Sequence, residues 1–238
     1  MLTTNCLILA AGTGSRISNL AKSKPLIEVA GRPLIQHVLE NAISAGLTDF
    51  YVVSGYNGKL VRTFLDFYAK SSPIKITHVI NDDWERSNGV SVHLAKKVIP
   101  NQFFLLMSDH LFDASILSDM NQLPIGDNET ILAIDRNLSN TNIDVNDVTK
   151  VMVKDNNILD INKSLSDYDA FDTGIFKCTH QLFDALEKSS GLGDDSLSGG
   201  IKQLAQQKLA KTYDIGNRFW IDVDDEAMLK LAMTHFQK

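Results

Sequence analysis

The feature that most constrains the fold of this chain is a regular alternation of apolar, strand-like runs with helix-like segments through its first half. The predicted strands are 6–11, 50–54, 74–80, 103–107 and 130–134, and the predicted helices are 33–45, 59–69, 90–98 and 114–120. Strands that alternate with helices usually pair in parallel, with helices on both faces of the sheet. We therefore predict an α/β fold with a doubly wound, mostly parallel, Rossmann-like sheet.

After residue 136 the pattern changes to polar loops around short β-like runs. We predict strands at 148–153, 158–161, 170–176, 211–215 and 219–223, helices at 181–187, 201–207 and 226–235, and a loop at 189–200. This region is expected to form a small antiparallel extension beside the main sheet. A length of 238 residues fits one domain, with a nucleotide-binding half at 1–136 and an acceptor-binding extension at 137–238 that also supplies a second metal ligand.

Composition excludes some classes of protein. A formal net charge of −6 argues against a nucleic-acid partner, because phosphate-backbone binders usually carry a basic face. Cys6 and Cys178 make no disulfide framework, and the apolar run at 6–11 is too short for a signal peptide or a membrane span. We expect a cytoplasmic protein without a membrane segment, and the sequence leaves open whether it forms a homodimer.

The first chemical signal follows the first predicted strand. Leu9 to Arg16 reads Leu-Ala-Ala-Gly-Thr-Gly-Ser-Arg, and Lys24-Pro25-Leu26 follows it. Small residues and glycines let backbone amides approach phosphate oxygens, and Arg16 and Lys24 could neutralise a triphosphate. The alternative is an ordinary turn with solvated cations. The run is neither a dinucleotide fingerprint nor a Walker loop.

Together these two segments resemble the signature of the nucleoside-triphosphate transferase family, which includes sugar-1-phosphate nucleotidylyltransferases and cytidylyltransferases. The resemblance implies that Ala11, Gly12, Gly14, Arg16 and Lys24 bind the nucleotide, with Arg16 and Lys24 taking part in catalysis. In this family a later loop reads the base. Here that loop contains Asn88 and Gly89, although an ordinary loop and helix cap would look the same.

The predicted metal ligands are Asp109 and Asp222. Asp109 follows the apolar strand 103–107, where a carboxylate would face the ligand crevice, although such an acid can also cap a helix. The family resemblance favours Asp109 and implies that Asp222, in a Trp-x-Asp motif, is the second Mg²⁺ ligand. Asp224 is expected to cap the last helix. His110 could orient a metal-bound water, but a packed histidine is the more common alternative.

The acceptor residues come from a resemblance in order and spacing to the inositol-1-phosphate cytidylyltransferase branch. It implies Lys150, Lys163, Asp172, Thr173 and Gly174, with Lys163 gripping the acceptor phosphate and taking part in catalysis. Lys163 is flanked by Asn162 and Ser164, where the wider family has Glu-Lys-Pro. Each lysine by itself is more often simply solvated.

The expected function is an Mg²⁺-dependent reaction of CTP with inositol-1-phosphate that yields CDP-inositol and pyrophosphate. Phosphocholine, 2-aminoethylphosphonate or a sugar-1-phosphate remain alternative acceptors, and UTP or GTP alternative donors. Asp222-Val223-Asp224 also fits the short Asp-x-Asp pattern of GT-A-type glycosyltransferases, and a catalytically inactive nucleotide-sensing subunit could have the same fold. The sequence does not decide whether the chain is a free enzyme or a separated domain of a larger one.

Overall fold

The structure, a computed structural model, describes residues 2–236. Its strands are β1 (Asn5–Ala10), β2 (Glu28–Val29), β3 (Arg32–Pro33), β4 (Asp49–Ser54), β5 (Lys75–Ile80), β6 (Gln102–Met107), β7 (His110–Phe112), β8 (Thr130–Asp135), β9 (Lys150–Lys154), β10 (Asn157–Asn162), β11 (Ala170–Thr179), β12 (Ala210–Asp214) and β13 (Trp220–Asp222). Its α-helices are α1 (Leu34–Ser44), α2 (Gly58–Ala69), α3 (Asn88–Leu94), α4 (Ser115–Gln122), α5 (Gln181–Gly191), α6 (Leu197–Ala205) and α7 (Glu226–Phe236). Among these helices, none has the length and hydrophobicity that a membrane span requires.

Nine strands form one sheet in the order β5-β4-β1-β6-β11-β8-β12-β10-β9. The first four are parallel to one another, and β12 is parallel to β8. Alternate residues of the buried strand β1 face opposite sides of the sheet, as the two-residue period of a strand requires. Leu7 and Leu9 join a core with α3, α5 and α6, whereas Cys6 and Ile8 join a core with α1, α2 and α4. The predicted α/β fold with helices on both faces is confirmed.

The position of β11 differs from the expected extension beside the main sheet. This strand lies inside the main sheet and pairs antiparallel with both β6 and β8, so that Phe176 is aligned with Leu105 on one side and Leu132 on the other. The β9–β10 hairpin continues the same sheet beyond β12. Sequence periodicity reports which residues of a strand are buried but not which strands are neighbours, and this is why the extension was misplaced.

The predicted loop at 189–200 is also too long. The helix α5 continues to Gly191, and α6 begins at Leu197, where the Ser196 side chain caps it by accepting a hydrogen bond from Gly199 N. Glycine inside α6 reflects a close helix contact, because a Cβ atom at Gly199 would lie 2.3 Å from Ser189 Oγ. A glycine that is needed for packing was therefore read as a loop residue.

One charged side chain, Lys177 in β11, lies in the interior. Its Nζ donates hydrogen bonds to three main-chain carbonyl oxygens at the end of α4, at distances of 2.7–3.1 Å. Burial lowers the pKa of Lys177 below its ordinary value. The side chain thus links the end of α4 to the central strand β11, a contact that no local sequence pattern indicates.

Candidate active site

A cavity of about 480 Å³ opens at the carboxyl ends of β1 and β6. It is lined by the loop after β1 (9–16), the end of β6 (107–110), part of the loop between β8 and β9 (142–149) and the segment around β13 (220–225). The carboxyl edge of the parallel strands is where α/β sheets bind ligands. The cavity therefore lies where the sequence placed the site.

The loop after β1 presents main-chain groups to this cavity. Gly12, Thr13 and Gly14 line it, and within residues 2–236 their amide N–H groups donate to no protein acceptor. Gly14 has a φ of 58°, and a Cβ atom there would lie 2.4 Å from Lys24 Cβ, so only glycine lets the lysine cross so closely. A Cβ atom at Gly12 would meet no protein atom within 4 Å. This loop can accept a phosphate group on its amides.

Lys24 is buried at the centre of a carboxylate cluster. Its side chain is 7% exposed, and its Nζ lies 2.5 Å from Asp109 and 3.8 Å from Asp222 and also contacts Asp224. Burial alone would lower the pKa of Lys24, but the three carboxylates outweigh burial and raise that pKa above its ordinary value. Lys24 is therefore positively charged at neutral pH, and its ammonium group can exchange these carboxylate partners for a phosphate group.

Asp224 does not cap the last helix. Asp225 Oδ1 accepts the hydrogen bond from Met228 N at the start of α7, at 2.8 Å. Asp224 instead turns into the cavity, where it contacts Lys24 and accepts a hydrogen bond of 2.6 Å from Arg16. The expectation for Asp224 is thus wrong, because consecutive acids after a strand look equivalent in the sequence.

Asp147 joins the two predicted halves of the site. Arg16 donates to its Oδ2 and Lys163 donates to its Oδ1, each at 2.6 Å. The hydrogen bond from Lys163, together with that from Arg16, holds the pKa of Asp147 below its ordinary value, although partial burial acts in the opposite direction. The cations assigned to the triphosphate and to the acceptor phosphate thus share one carboxylate.

His110 occupies a fixed position beside the two predicted metal ligands. Its Nδ1 lies 2.8 Å from Thr173 O, and its Nε2 lies 3.4 Å from Asp222 Oδ2 and 3.9 Å from Asp109 Oδ1. Burial favours the neutral ring, but Asp222 and Asp109 outweigh it and raise the pKa of His110 to about 10. Burial, reinforced by the charge of Asp109, raises the pKa of Asp222.

A divalent cation fits this group. One ligand atom from each of Asp109, His110 and Asp222 lies within 4.8 Å of the others. Asp222 Oδ1 is buried and has no hydrogen-bond partner within residues 2–236, which is the state that a metal ion would relieve. Carboxylate oxygens are the ligands that Mg²⁺ prefers.

The residues predicted for the acceptor divide into two sets. Lys163, Asp172 and Gly174 line the cavity, and burial raises the pKa of Asp172 to about 6. Thr173 is buried and donates to Ala133 O, and Lys150 donates to Lys163 O from outside the cavity lining. The side chains of Thr173 and Lys150 therefore hold neighbouring main-chain segments in place and do not face the cavity.

The residues predicted to read the base also separate. Asn88 lines the cavity, although its Oδ1 accepts a hydrogen bond from Leu197 N. Gly89 lies outside the lining, and a Cβ atom there would be 2.3 Å from Asp195 O, so this glycine serves the packing of α3. Trp84 and Arg86, which the sequence analysis did not select, line the cavity beside Asn88.

Comparison with known proteins places this geometry in a family. Residues 6–137 match the MobA-like NTP transferase domain. The chain belongs to this family. It is thus a nucleotidyltransferase, as the signature around Gly12 and Lys24 indicated.

The similarity of this NTP transferase to curated proteins covers nearly its whole chain. The chain is 30% identical over 237 residues, 98% of its length, to the bifunctional IPC transferase and DIPP synthase of Thermococcus kodakarensis. It is 29% identical over 236 residues to the protein of the same name from Aquifex aeolicus. The chain spans 50% and 51% of the lengths of these two relatives. In the fold, the inositol-1-phosphate CTP transferase from T. maritima superposes with a TM-score of 0.86 at 23% identity, covering 100% of this chain and 98% of that one.

Proposed function

We propose that this NTP transferase is an Mg²⁺-dependent cytidylyltransferase that converts CTP and inositol-1-phosphate into CDP-inositol and pyrophosphate. One observation carries the proposal. A single cavity at the carboxyl edge of the sheet is lined by the glycine-containing loop after β1, whose amides at 12–14 have no acceptor within residues 2–236, by the cations Arg16 and Lys24, and by the carboxylates Asp109 and Asp222. The printed names of the relatives and of the T. maritima neighbour support the choice of CTP and inositol-1-phosphate.

The nucleotide half of the cavity holds the triphosphate in this scheme. The amides of Gly12 to Gly14 receive phosphate oxygens, while Lys24 and Arg16 exchange their carboxylate partners for phosphate. Asp109 and Asp222 would hold Mg²⁺, which when bound neutralises charge on the phosphates. These residues stabilise the charge that builds up as the bond between the α- and β-phosphates breaks.

The acceptor half of the cavity binds the nucleophile, which is the phosphate group of inositol-1-phosphate. Lys163 lies where it can pair with the acceptor phosphate, because its partner Asp147 also holds Arg16 of the nucleotide half. A phosphate monoester is largely dianionic at neutral pH, since its second pKa is about 6, so its oxygen can attack the α-phosphorus without a general base. Catalysis then consists of positioning and charge neutralisation.

Pyrophosphate release tests this function directly. CTP, UTP, GTP and ATP are each combined with inositol-1-phosphate, phosphocholine, 2-aminoethylphosphonate and glucose-1-phosphate, with and without Mg²⁺. The expected result is release only with Mg²⁺ and fastest with CTP and inositol-1-phosphate. Greater release with another pair would replace the proposed substrates. If the protein instead transferred a sugar from an added nucleotide-sugar and released no pyrophosphate with any mixture, it would be a glycosyltransferase and the proposed reaction would be wrong.

Lys163→Ala tests the acceptor assignment. Because a hydrogen bond to a charged group contributes about 1.5–3 kcal/mol, kcat/KM for the acceptor should fall roughly ten- to a hundredfold. The affinity for CTP, measured calorimetrically without acceptor, should change little. Lys154→Ala, which removes one exposed positive charge from the end of β9, is the matched control. A loss of CTP affinity at an unchanged acceptor KM would contradict the division of the cavity into two halves.

A further inference from the structure

We propose that His110 is a third protein ligand of the divalent cation, through its Nε2 atom, so that the metal site has mixed nitrogen and oxygen donors. The proposal rests on the proposed function only in that a cation binds between Asp109 and Asp222. It goes beyond the two carboxylates that the family resemblance implies. It also changes which metal ions the site is expected to prefer.

The hydrogen bond of the ring to the main chain fixes which nitrogen faces the metal. His110 Nδ1 lies 2.8 Å from Thr173 O, and a carbonyl can only accept, so Nδ1 must be the protonated donor. The metal ligand is then Nε2, which faces Asp222 Oδ2 at 3.4 Å and Asp109 Oδ1 at 3.9 Å and gives up its proton to solvent when a cation binds. A main-chain carbonyl on the other ring nitrogen is the usual partner of a metal-bound histidine.

The backbone around the ring is shaped to hold it in this orientation. Gly174 has a φ of 75°, and a Cβ atom there would lie 2.4 Å from His110 Nδ1 and 2.5 Å from Cε1. Thr173, whose carbonyl holds the ring, is itself fixed by the hydrogen bond of its buried hydroxyl to Ala133 O. Any residue larger than glycine at 174 would displace the imidazole from this position. The ring is therefore held in place before a cation binds.

The facing carboxylate has an unused ligand atom. Asp222 Oδ1 is buried and makes no hydrogen bond within residues 2–236, while its Oδ2 faces His110. If His110 only formed an ion pair with the acids, this oxygen would remain unsatisfied. A cation bound by the three side chains would give it a partner, and their ligand atoms already lie within 4.8 Å of one another.

An imidazole ligand has a consequence for metal preference. Imidazole nitrogen suits Ni²⁺ and Zn²⁺, whereas carboxylate, carbonyl and water oxygens suit Mg²⁺, Ca²⁺ and Mn²⁺. Removal of His110 should thus weaken Ni²⁺ binding more than Mg²⁺ binding. Loss of a ligand should cost at least the roughly tenfold in affinity that loss of an outer-sphere partner costs.

The test uses the full chain without nucleotide, loaded with Mn²⁺ alone and studied by pulsed electron paramagnetic resonance. The spectrum of the unaltered protein should show a directly bound nitrogen, and its frequencies should shift when histidine is labelled with ¹⁵N. His110→Gln should remove this signal and weaken Mn²⁺ binding at least roughly tenfold. His93→Gln, which alters a histidine outside the cavity lining, should leave both unchanged.

Asp109→Asn separates failure of this inference from failure of the proposed function. If Mn²⁺ binds, depends on Asp109 and shows no nitrogen coupling, His110 is not a ligand but the carboxylate site stands. If Mn²⁺ binding is indifferent to Asp109→Asn, or does not occur, the metal site of the proposed function is also wrong. The spectrum of the unaltered protein decides the ligand question even if a variant does not fold.

Discussion

Asp147→Asn is the substitution that the structure makes most informative. This carboxylate accepts hydrogen bonds from both Arg16 and Lys163, each at 2.6 Å. A nucleotide that binds Arg16 must compete with this carboxylate. The isosteric amide keeps the size of the side chain but removes the competing charge, so CTP should bind more tightly.

The size of the effect follows from how exposed these ion pairs are. The Asp147 side chain is 30% exposed, Arg16 49% and Lys163 59%. Ion pairs this exposed are weakened by solvent and contribute about 0.2–1 kcal/mol each, and CTP has to displace only the pair that Asp147 makes with Arg16. At about 1.4 kcal/mol per decade, removal of this competition should tighten CTP binding by roughly 1.4- to 5-fold.

The assay is calorimetric titration of CTP with Mg²⁺, without acceptor, at low and at physiological ionic strength. The gain in affinity should shrink as salt screens the ion pairs. Asp144→Asn is the matched control, because Asp144 lines the same cavity and makes no ion pair within residues 2–236, and it should have a smaller effect. Unchanged or weaker CTP binding in Asp147→Asn would refute the competition and indicate that Asp147 assists the bound state.

Three further predictions concern the charged residues of the interior and the cavity. Asp109→Asn and Asp222→Asn should each remove most pyrophosphate release, because each loses a charged metal ligand at constant volume; near-normal turnover at limiting Mg²⁺ would show that neither holds the metal. Lys24→Ala should destabilise the protein by about 1–3 kcal/mol, since the partly buried carboxylates of Asp109 and Asp224 lose a charged hydrogen-bond donor, and added Mg²⁺ should restore part of this stability in thermal unfolding. If the unfolding temperature of Lys24→Ala did not change with Mg²⁺, the prediction that a cation can replace the lysine charge would be wrong. Lys177→Met should lower the free energy of unfolding in urea by about 1.5–3 kcal/mol, because buried carbonyls lose a charged donor, whereas the exposed control Lys188→Met should change it little; equal effects would contradict the role given to Lys177.

Features that depend on neighbours along the chain could be predicted from the sequence. Apolar runs alternating with helical patterns predicted the α/β fold, because burial period and chain order decide how parallel strands are connected. The loop from Gly12 to Gly14 and the strand-end acid Asp109 were found for the same reason, since each is a local signal at the end of a buried strand. The loop and the acid lie at the same edge of the sheet because β1 and β6 are parallel neighbours, so that their carboxyl ends are adjacent.

The contacts between side chains that lie far apart in the sequence could not be predicted in this way. Asp224 was expected to cap a helix and instead faces Lys24, and Asp147 proved to hold two cations from opposite halves of the chain. Gly89, expected to face the base, packs against the main chain at Asp195. The physical reason is the same for all three residues. The local sequence around an aspartate does not show whether it caps a helix or pairs with a cation, and that around a glycine does not show whether it faces a ligand or packs against the main chain. The role of each residue is set by long-range partners that no spacing along the chain records.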